Sequence, residues 1–286
     1  MIELVCLGDL MVDVLALLPG PLAVGSDTPA PVTTSGGGAA ANVAAWSATL
    51  GARASFVGRI GEDAFGRHAV DELAALGVDV RVEADALRAT GTCLVLVDPA
   101  GERTMVPSSG ANDAPIDLDL LPARADWLYV SGYALLHAGS RDSARSALAV
   151  ARERGWRIAV DPASAAPLAA VGAEAFFGWI GQDVLLLANA DEAQVLTGHD
   201  DPARAARELG ARSGAAVVKS GASGAVWSDG HDVLAVPGAA VSAIDTTGAG
   251  DAFAAAFLSG NGGVASRLQS AVAVAARVVG KVGARP

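Results

Sequence analysis

An α/β fold, a doubly wound and mostly parallel sheet with helices on both faces, is what this 286-residue sequence predicts, on three observations. From Trp127 onward, short apolar runs alternate with segments of helical length, the strand, helix, strand order whose right-handed crossovers build a parallel sheet. Two of those runs end on residues that can hold a ligand, Asp161 and Asn189, at the carboxyl end of the strand where ligands bind in such sheets. Two other segments break the rhythm: Val14–Leu18 with the Pro- and Gly-rich stretch 19–31, and Thr90–Val106 around a turn at Asp98-Pro99-Ala100-Gly101. Both read as strands outside the main sheet.

Composition narrows the function classes. The chain is 52% hydrophobic and 18% charged, long enough for a substantial core in one large domain or two small ones. A net charge of −11 without a basic stripe argues against a nucleic-acid partner and leaves small phosphates open, since these need a local cradle and not a basic surface. The two cysteines, Cys6 and Cys93, lie in apolar runs and read as reduced core thiols, which fits a cytoplasmic protein. No basic residue precedes Arg53, so no signal peptide is expected, and no apolar run approaches the ~20 residues of a membrane span. Heavy use of alanine blurs helical periodicity throughout.

The elements follow in order. Ile2–Gly8 is a central parallel strand that opens on Asp9 and, five residues after Gly8, on Asp13, which by itself would be a solvated turn residue. Ala54–Ile60 is the next strand, and Phe65, Ala69, Leu73 and Leu76 then mark one apolar face of a helix. Trp127–Ser131, Arg157–Val160, Val184–Ala188 and Ala215–Lys219 are strands, with a helix over Ser140–Arg154. Val233–Val236 and Val241–Ile244 lead to a helix that starts near Gly248 and runs through Ala252–Leu258, and a last helix covers Val264–Gly280.

Two glycine-rich stretches carry the chemistry. Gly36, Gly38 and Ala41 fit the dinucleotide pattern G-x-G-x-x-A, and Glu62 and Asp63 follow about 20 residues on, as a ribose-binding acid would. That pattern would make the chain an NAD-dependent dehydrogenase. Against it, residues 28–34 hold two prolines and make a poor central strand. The other stretch, Asp245-Thr-Thr-Gly-Ala-Gly-Asp-Ala-Phe253, places the unpaired first amides of a helix, Gly248, Ala249 and Gly250, where they can converge on an anion. Asp251 beside them is either a helix cap or a proton acceptor, and a phosphoryl-transfer site needs both an anion cradle and an acceptor. Beside a helix N-terminus, Asp251 is expected to stay ionised at neutral pH.

In order and spacing these motifs resemble the ribokinase family, also called the PfkB carbohydrate kinases, over nearly the whole chain. The resemblance implies one domain over 1–286, with a small β lid formed by approximately 12–34 and 90–108 that pairs two copies in a homodimer. Asp13, Gly37, Gly38 and Asn42 would hold the acceptor, with Met11 standing where ribokinase-type members often carry Asn. Residues 58–66, another family hallmark, are scaffold, and Gly110-Ala111-Asn112 closes the lid segment. Asn189 and Glu192 match an N-x-x-E motif that holds Mg2+ and phosphate, partly through water; a Glu there is otherwise a capping-box partner. Lys219, Ser220, Gly221 and Gly224 resemble the ATP loop, and the last helix would wall the adenine pocket. Asp245 and Thr247, with the turn Gly283-Ala284-Arg285-Pro286, resemble a site for a monovalent cation such as K+. The activity implied is ATP-dependent phosphorylation of a hydroxymethyl group on a small sugar or polyol, with Asp251 as base and Gly248, Ala249 and Gly250 as anion hole; a nucleoside acceptor is the alternative within the family. Neither a Walker A motif nor a His-Asp-Ser set is present, and His68, His137, His199 and His231 read as surface or core residues.

Overall fold

The computed structural model describes residues 1–239, 241, 246–280 and 283–286. The chain opens with β1 (Glu3–Leu7), β2 (Met11–Leu17), β3 (Val32–Gly37), α1 (Ala39–Thr49), β4 (Arg53–Gly61) and α2 (Ala64–Ala75). It continues through β5 (Asp79–Asp85), β6 (Gly91–Val97), β7 (Arg103–Ser108), β8 (Trp127–Ser131), α3 (Gly132–Leu136), α4 (Arg141–Glu153) and β9 (Arg157–Asp161). Then come α5 (Ala165–Val171), α6 (Ala173–Ile180), β10 (Val184–Asn189), α7 (Ala190–Thr197), α8 (Pro202–Ser213) and β11 (Gly214–Lys219). The described elements end with β12 (Ala225–Ser228), β13 (Val233–Val236), α9 (Ala249–Ser259) and α10 (Val264–Val278).

Among the described residues, nine strands form one sheet in the order β13-β12-β11-β10-β9-β8-β1-β4-β5, parallel from β11 to β5 with an antiparallel hairpin at one edge. The period-2 alternation of the strands divides the core. Leu4, Cys6, Trp127 and Tyr129 face the helices α1, α9 and α10, while Val5, Leu7, Leu128 and Val130 face α4, α6 and α8. Both faces are therefore dry, which is why these strands read as continuous apolar runs. The chain steps from β1 to β4 on one side and to β8 on the other, so β1 lies at a topological switch point, and its carboxyl end is where a ligand crevice opens.

A second, four-stranded sheet in the order β3-β2-β6-β7 stands apart from the first. The segment predicted around residues 19–31 is mostly a connection; its strand, β3, begins at Val32 and runs through Gly36 and Gly37. That placement removes the dinucleotide reading. Gly36 and Gly37 lie within an antiparallel strand of the small sheet, paired with β2, and Gly38 follows it, so the pattern does not come after a central parallel strand. The strand expected over Val241–Ile244 lies outside the described residues except for Val241. No described helix is long and apolar enough to cross a membrane.

Candidate active site

Five strands of the main sheet deliver polar groups to one edge. Asp9 follows β1, Ser131 ends β8, Asp161 ends β9, Asn189 ends β10 and Lys219 ends β11. Into this row points α9. Gly248 is its N-cap, with φ 74°, and a Cβ there would collide with the Ala284 carbonyl, so only glycine allows the C-terminal turn to pack on the helix start. Asp251 occupies the third helical position, not the N-cap, and among the described residues its side chain accepts from no helix amide, which removes the capping reading. Instead its Oδ2 accepts a hydrogen bond from Asn42 Nδ2 at 2.9 Å.

The helix tip separates two cavities. One, of about 440 Å³, is lined by Asp9, Asp13, Gly38, Asn112, Tyr133 and Thr247, with side chains of the small sheet opposite. The other, of about 460 Å³, is lined by Asn189, Lys219, Gly221, Gly224, Ala249 and Gly250, with Val272 and Ala275 of α10 behind them. Among the described residues the amides of Gly248 and Gly250 have no protein acceptor, whereas the Ala249 amide reaches the Thr246 carbonyl at 3.3 Å. Two of the three expected cradle amides are thus available for an anion.

The electrostatics depart from the sequence expectation. Burial pushes the Asp251 carboxyl up to about 7, the Asn42 hydrogen bond pulls it down, Asp161 and Asp9 raise it further, and Lys219 opposes them. The macrodipole argument for a fully ionised Asp251 at neutral pH therefore fails: burial first, and then the Asp161 and Asp9 carboxylates, outweigh a helix end. Lys219 Nζ donates to Asp161 Oδ2 at 2.7 Å in a largely buried pair, so it is tied to the sheet and not solvated. The Glu192 carboxyl is likewise pushed to about 7, by burial and then by Asp161, with Lys219 pulling back.

Other predicted residues find different partners. Glu192 forms a full capping box with Asn189: Asn189 N and Nδ2 donate to Oε2 and Oε1 at 2.8 and 2.7 Å, and Glu192 N donates to Asn189 Oδ1 at 2.9 Å. Among the described residues no group of three His, Cys, Asp or Glu side chains could hold a metal. Asn42, expected to meet the acceptor, uses its Nδ2 on Asp251, and its Oδ1 accepts from Arg285 Nε at 3.1 Å. Ser220 closes the glycine loop through its amide, which donates to the Gly224 carbonyl at 2.8 Å. Asp245 lies outside the described residues; Thr247 lines the first cavity. Burial raises the Asp13 carboxyl, with Arg285 pulling it back.

Three participants take parts here that differ from those read in the sequence. Asp9 holds the start of α1 through Oδ2, accepting from Ala39 N at 2.7 Å, while its Oδ1 is buried with no partner among the described residues. Arg285, in the C-terminal turn, reaches the acceptor side. His137, assigned to surface or core, lines the first cavity and stacks on Tyr133 with ring centroids 6.0 Å apart. Asp9 alone left a readable trace, an acid directly after a buried strand; the others depend on contacts that local sequence does not carry.

Comparison with known proteins bears on this geometry. A family model described as pfkB family carbohydrate kinase matches residues 1–286. A fructokinase of Klebsiella pneumoniae is 35% identical over 78% of this chain and 76% of its own length. A 2-dehydro-3-deoxygluconokinase of Thermoproteus tenax is 34% identical over 98% of this chain and 89% of its own. Among solved structures, an Escherichia coli ribokinase II candidate in complex with ATP and Mg2+ superposes with a TM-score of 0.84 at 22% identity, covering 99% of this chain and 94% of that one.

Proposed function

Because the chain belongs to the pfkB family of carbohydrate kinases and is a phosphotransferase, we propose that it moves the γ-phosphoryl group of ATP to a hydroxymethyl group of a small sugar or sugar-like polyol. The observation that carries this reading is the seat of Asp251, on the first turn of a helix whose tip walls a cavity on either side. The acceptor occupies the cavity of Asp9, Asp13 and Gly38. Asp9 Oδ1, buried without a donor among the described residues, is suited to an acceptor hydroxyl, because buried carboxylate oxygens otherwise go unsatisfied at a cost. ATP occupies the cavity of Lys219, Gly221 and Gly224, where glycine backbone lies along its phosphates and Val272 and Ala275 flank the base.

Asp251 takes the hydroxyl proton as the acceptor oxygen bonds to the γ-phosphorus and the bond to ADP breaks. The Gly248 and Gly250 amides face the phosphoryl oxygens as their charge redistributes, and Ala249, shared with Thr246, contributes less. Asn42 aims the base. Asp161 pins Lys219 where its ammonium meets a phosphate.

Mg2+ fits this set of residues. Asp161, Glu192 and Asp251 surround a single lysine, and two of those carboxyls are pushed to about 7, so a polyanion entering here needs cations to accompany it. Bound there, the ion neutralises charge on the β- and γ-phosphates. Glu192, with both oxygens on Asn189, would hold it only through water. The monovalent cation, K+, rests on resemblance at Thr247 and Asp245.

The small sheet acts as a lid. Leu17, Val32, Leu94 and Val106 of that sheet are exposed large hydrophobics, which supports pairing of two lids in a homodimer, a state that light scattering would register. A nucleoside acceptor is the second reading, favoured by one feature: Met11, Leu15, Val95 and Met105 give the acceptor cavity an apolar wall facing Asp9 and Asp13. A ribose carrying a flat base matches such a two-sided cavity. The sugar-kinase names of both relatives keep the sugar reading first.

The direct test is Asp251→Asn. Turnover should fall about 10²–10⁴-fold while ATP affinity persists, the size expected for loss of a general base. Near-normal turnover would remove Asp251 from that role. A coupled ADP-release screen of sugars, polyols and nucleosides then decides the acceptor.

A further inference from the structure

Arg285, the penultimate residue, has a side chain only 7% exposed. A cation buried that far needs partners for its N–H groups, and it has them on three separate elements. Its NH1 group donates to Glu72 Oε1 of α2 at 3.1 Å, NH2 to the Gly37 carbonyl of β3 at 3.0 Å, and Nε to Asn42 Oδ1 of α1 at 3.1 Å. Strand β3 is shaped around it. A Cβ at Gly36 would fall within the guanidinium, and one at Gly37 would stand 2.7 Å from each Asp13 carboxylate oxygen. The same Glu72 fixes that strand, its Oε2 accepting from Gly36 N at 3.0 Å. The turn is anchored in turn by Trp46, whose Nε1 donates to the Ala284 carbonyl at 2.9 Å.

The chemical consequence lies in what arginine lacks. A guanidinium offers donors and no acceptor, so the amide of Asn42 must present its oxygen to Arg285. Its NH2 group must then face Asp251, to which it donates at 2.9 Å. A donor in that place pairs with the carboxylate form. A reversed amide would present oxygen, which pairs with the protonated acid, and a protonated Asp251 cannot take a proton from an acceptor.

We propose that Arg285 is a positioning residue for phosphoryl transfer: by fixing which way round the Asn42 amide lies, it holds Asp251 as an aimed carboxylate. The inference rests on Asp251 being the base. Other groups also act on that carboxyl: Cys6 and Asp9 from the end of β1, Tyr129 from β8, Asp161 from β9 and Lys219 from β11. Arg285 also acts on that carboxyl through its own charge, which Arg285→Lys and Glu72→Gln retain and Arg285→Gln removes; none of the other groups touches Asn42 among the described hydrogen bonds, so a midpoint that rises in Glu72→Gln reports the amide and not the lost charge.

Two variants separate orientation from packing. Arg285→Lys keeps a donor-only cation, whereas Arg285→Gln has similar reach but accepts as readily as it donates. The titration of the Asp251 carboxyl is followed by 13C NMR, assigned by the resonance missing from Asp251→Asn, alongside kcat and the KM for ATP. In Arg285→Gln the Asp251 midpoint should rise by about one unit, as expected when a hydrogen bond to the charged form is lost. Its kcat should fall roughly ten- to a hundredfold with the KM for ATP unchanged, the scale of a misplaced catalytic group. Arg285→Lys should stay near the parent on both counts. Glu72→Gln loosens Arg285 without replacing it and should give a smaller shift in the same direction, which keeps the test open if Arg285→Gln does not fold. An Asp251 midpoint that stays put in both neutral variants, with equal activity losses in Lys and Gln that follow thermal stability, overturns the proposal. Turnover surviving in Asp251→Asn would instead sink the base reading, and the NMR midpoint would still judge Arg285.

Discussion

The two cavities beside the tip of α9 are close in volume, about 440 and 460 Å³, and opposite in construction. The one assigned to ATP is lined largely by backbone and small residues, among them Gly221, Ala222, Gly224, Gly238, Ala249 and Ala275. The one assigned to the acceptor is lined by long side chains, among them Met11, Asp13, Leu15, Arg103, Met105 and Tyr133, many of them from the small sheet. Backbone recognition depends on the path of the chain and is hard to alter one residue at a time. Side-chain recognition is readily altered, because strands of the small sheet can exchange residues without disturbing the main sheet. On the proposed function the donor is read by the fold and the acceptor by the small sheet.

Separate damage to the two cavities is the way to break that comparison. Asp13→Ala removes a charged group from the acceptor wall, and kcat/KM for the acceptor should fall about a hundredfold, the scale of a lost charge-assisted hydrogen bond of 1.5–3 kcal/mol or somewhat more. The KM for ATP should not move. If both constants deteriorate together, the cavities are not independent and the contrast is false. A smaller and mirror-image effect is expected at Gly224. Its φ is 97° and a Cβ there would collide with the Val236 carbonyl, so Gly224→Ala must shift the loop that lines the ATP side. The KM for ATP should rise about tenfold, in line with a strained non-glycine residue displacing a loop by 1–3 kcal/mol, and acceptor kinetics at saturating ATP should hold.

Legibility in the sequence followed the range of the contacts involved. Strands β8 and β13 stand where their apolar runs predict, Trp127–Ser131 and Val233–Val236, because a strand in this sheet is an uninterrupted run that local composition reveals. The start of α9 was equally readable, since a left-handed glycine followed by alanines is a local signal. Contacts between distant residues were not. Gly36 fits a dinucleotide pattern and Gly37 an acceptor-binding signature in the sequence, yet both lie in a strand and leave room for side chains from Arg285 and Asp13. Asn42 reaches Asp251 across 209 positions and Lys219 reaches Asp161 across 58. Glu192 shows the converse: the local capping-box signal was present, and the structure realises it in full. Periodicity reports which face of an element is buried; it does not report which partner waits there.

The mildest of the expected effects tests the electrostatic side of the contrast, because the acidic groups bearing on Asp251 lie at the ends of β1 and β9 and not on α9 itself. With its carboxyl near 7, Asp251 as the proposed base is competent only when ionised, so kcat/KM should rise through an acid limb near that pH and level off above it. At pH 7 turnover should be about half its plateau, and at pH 6 roughly a tenth, for a single ionisation at that midpoint. The sign for neighbouring substitutions follows from the causes. Asp161 raises the midpoint, so Asp161→Asn should move the limb toward lower pH; Lys219 lowers it, so Lys219→Met should move the limb higher. Glu192, on α7, also sits near 7, but its carboxyl is bound to Asn189 at the end of β10, and Glu192→Gln should leave the limb in place while weakening ATP at limiting Mg2+. A limb that vanished in Glu192→Gln and persisted unchanged in Asp161→Asn would reassign the titration to the nucleotide side, and the acceptor-side base would have to ionise at its ordinary carboxylate value.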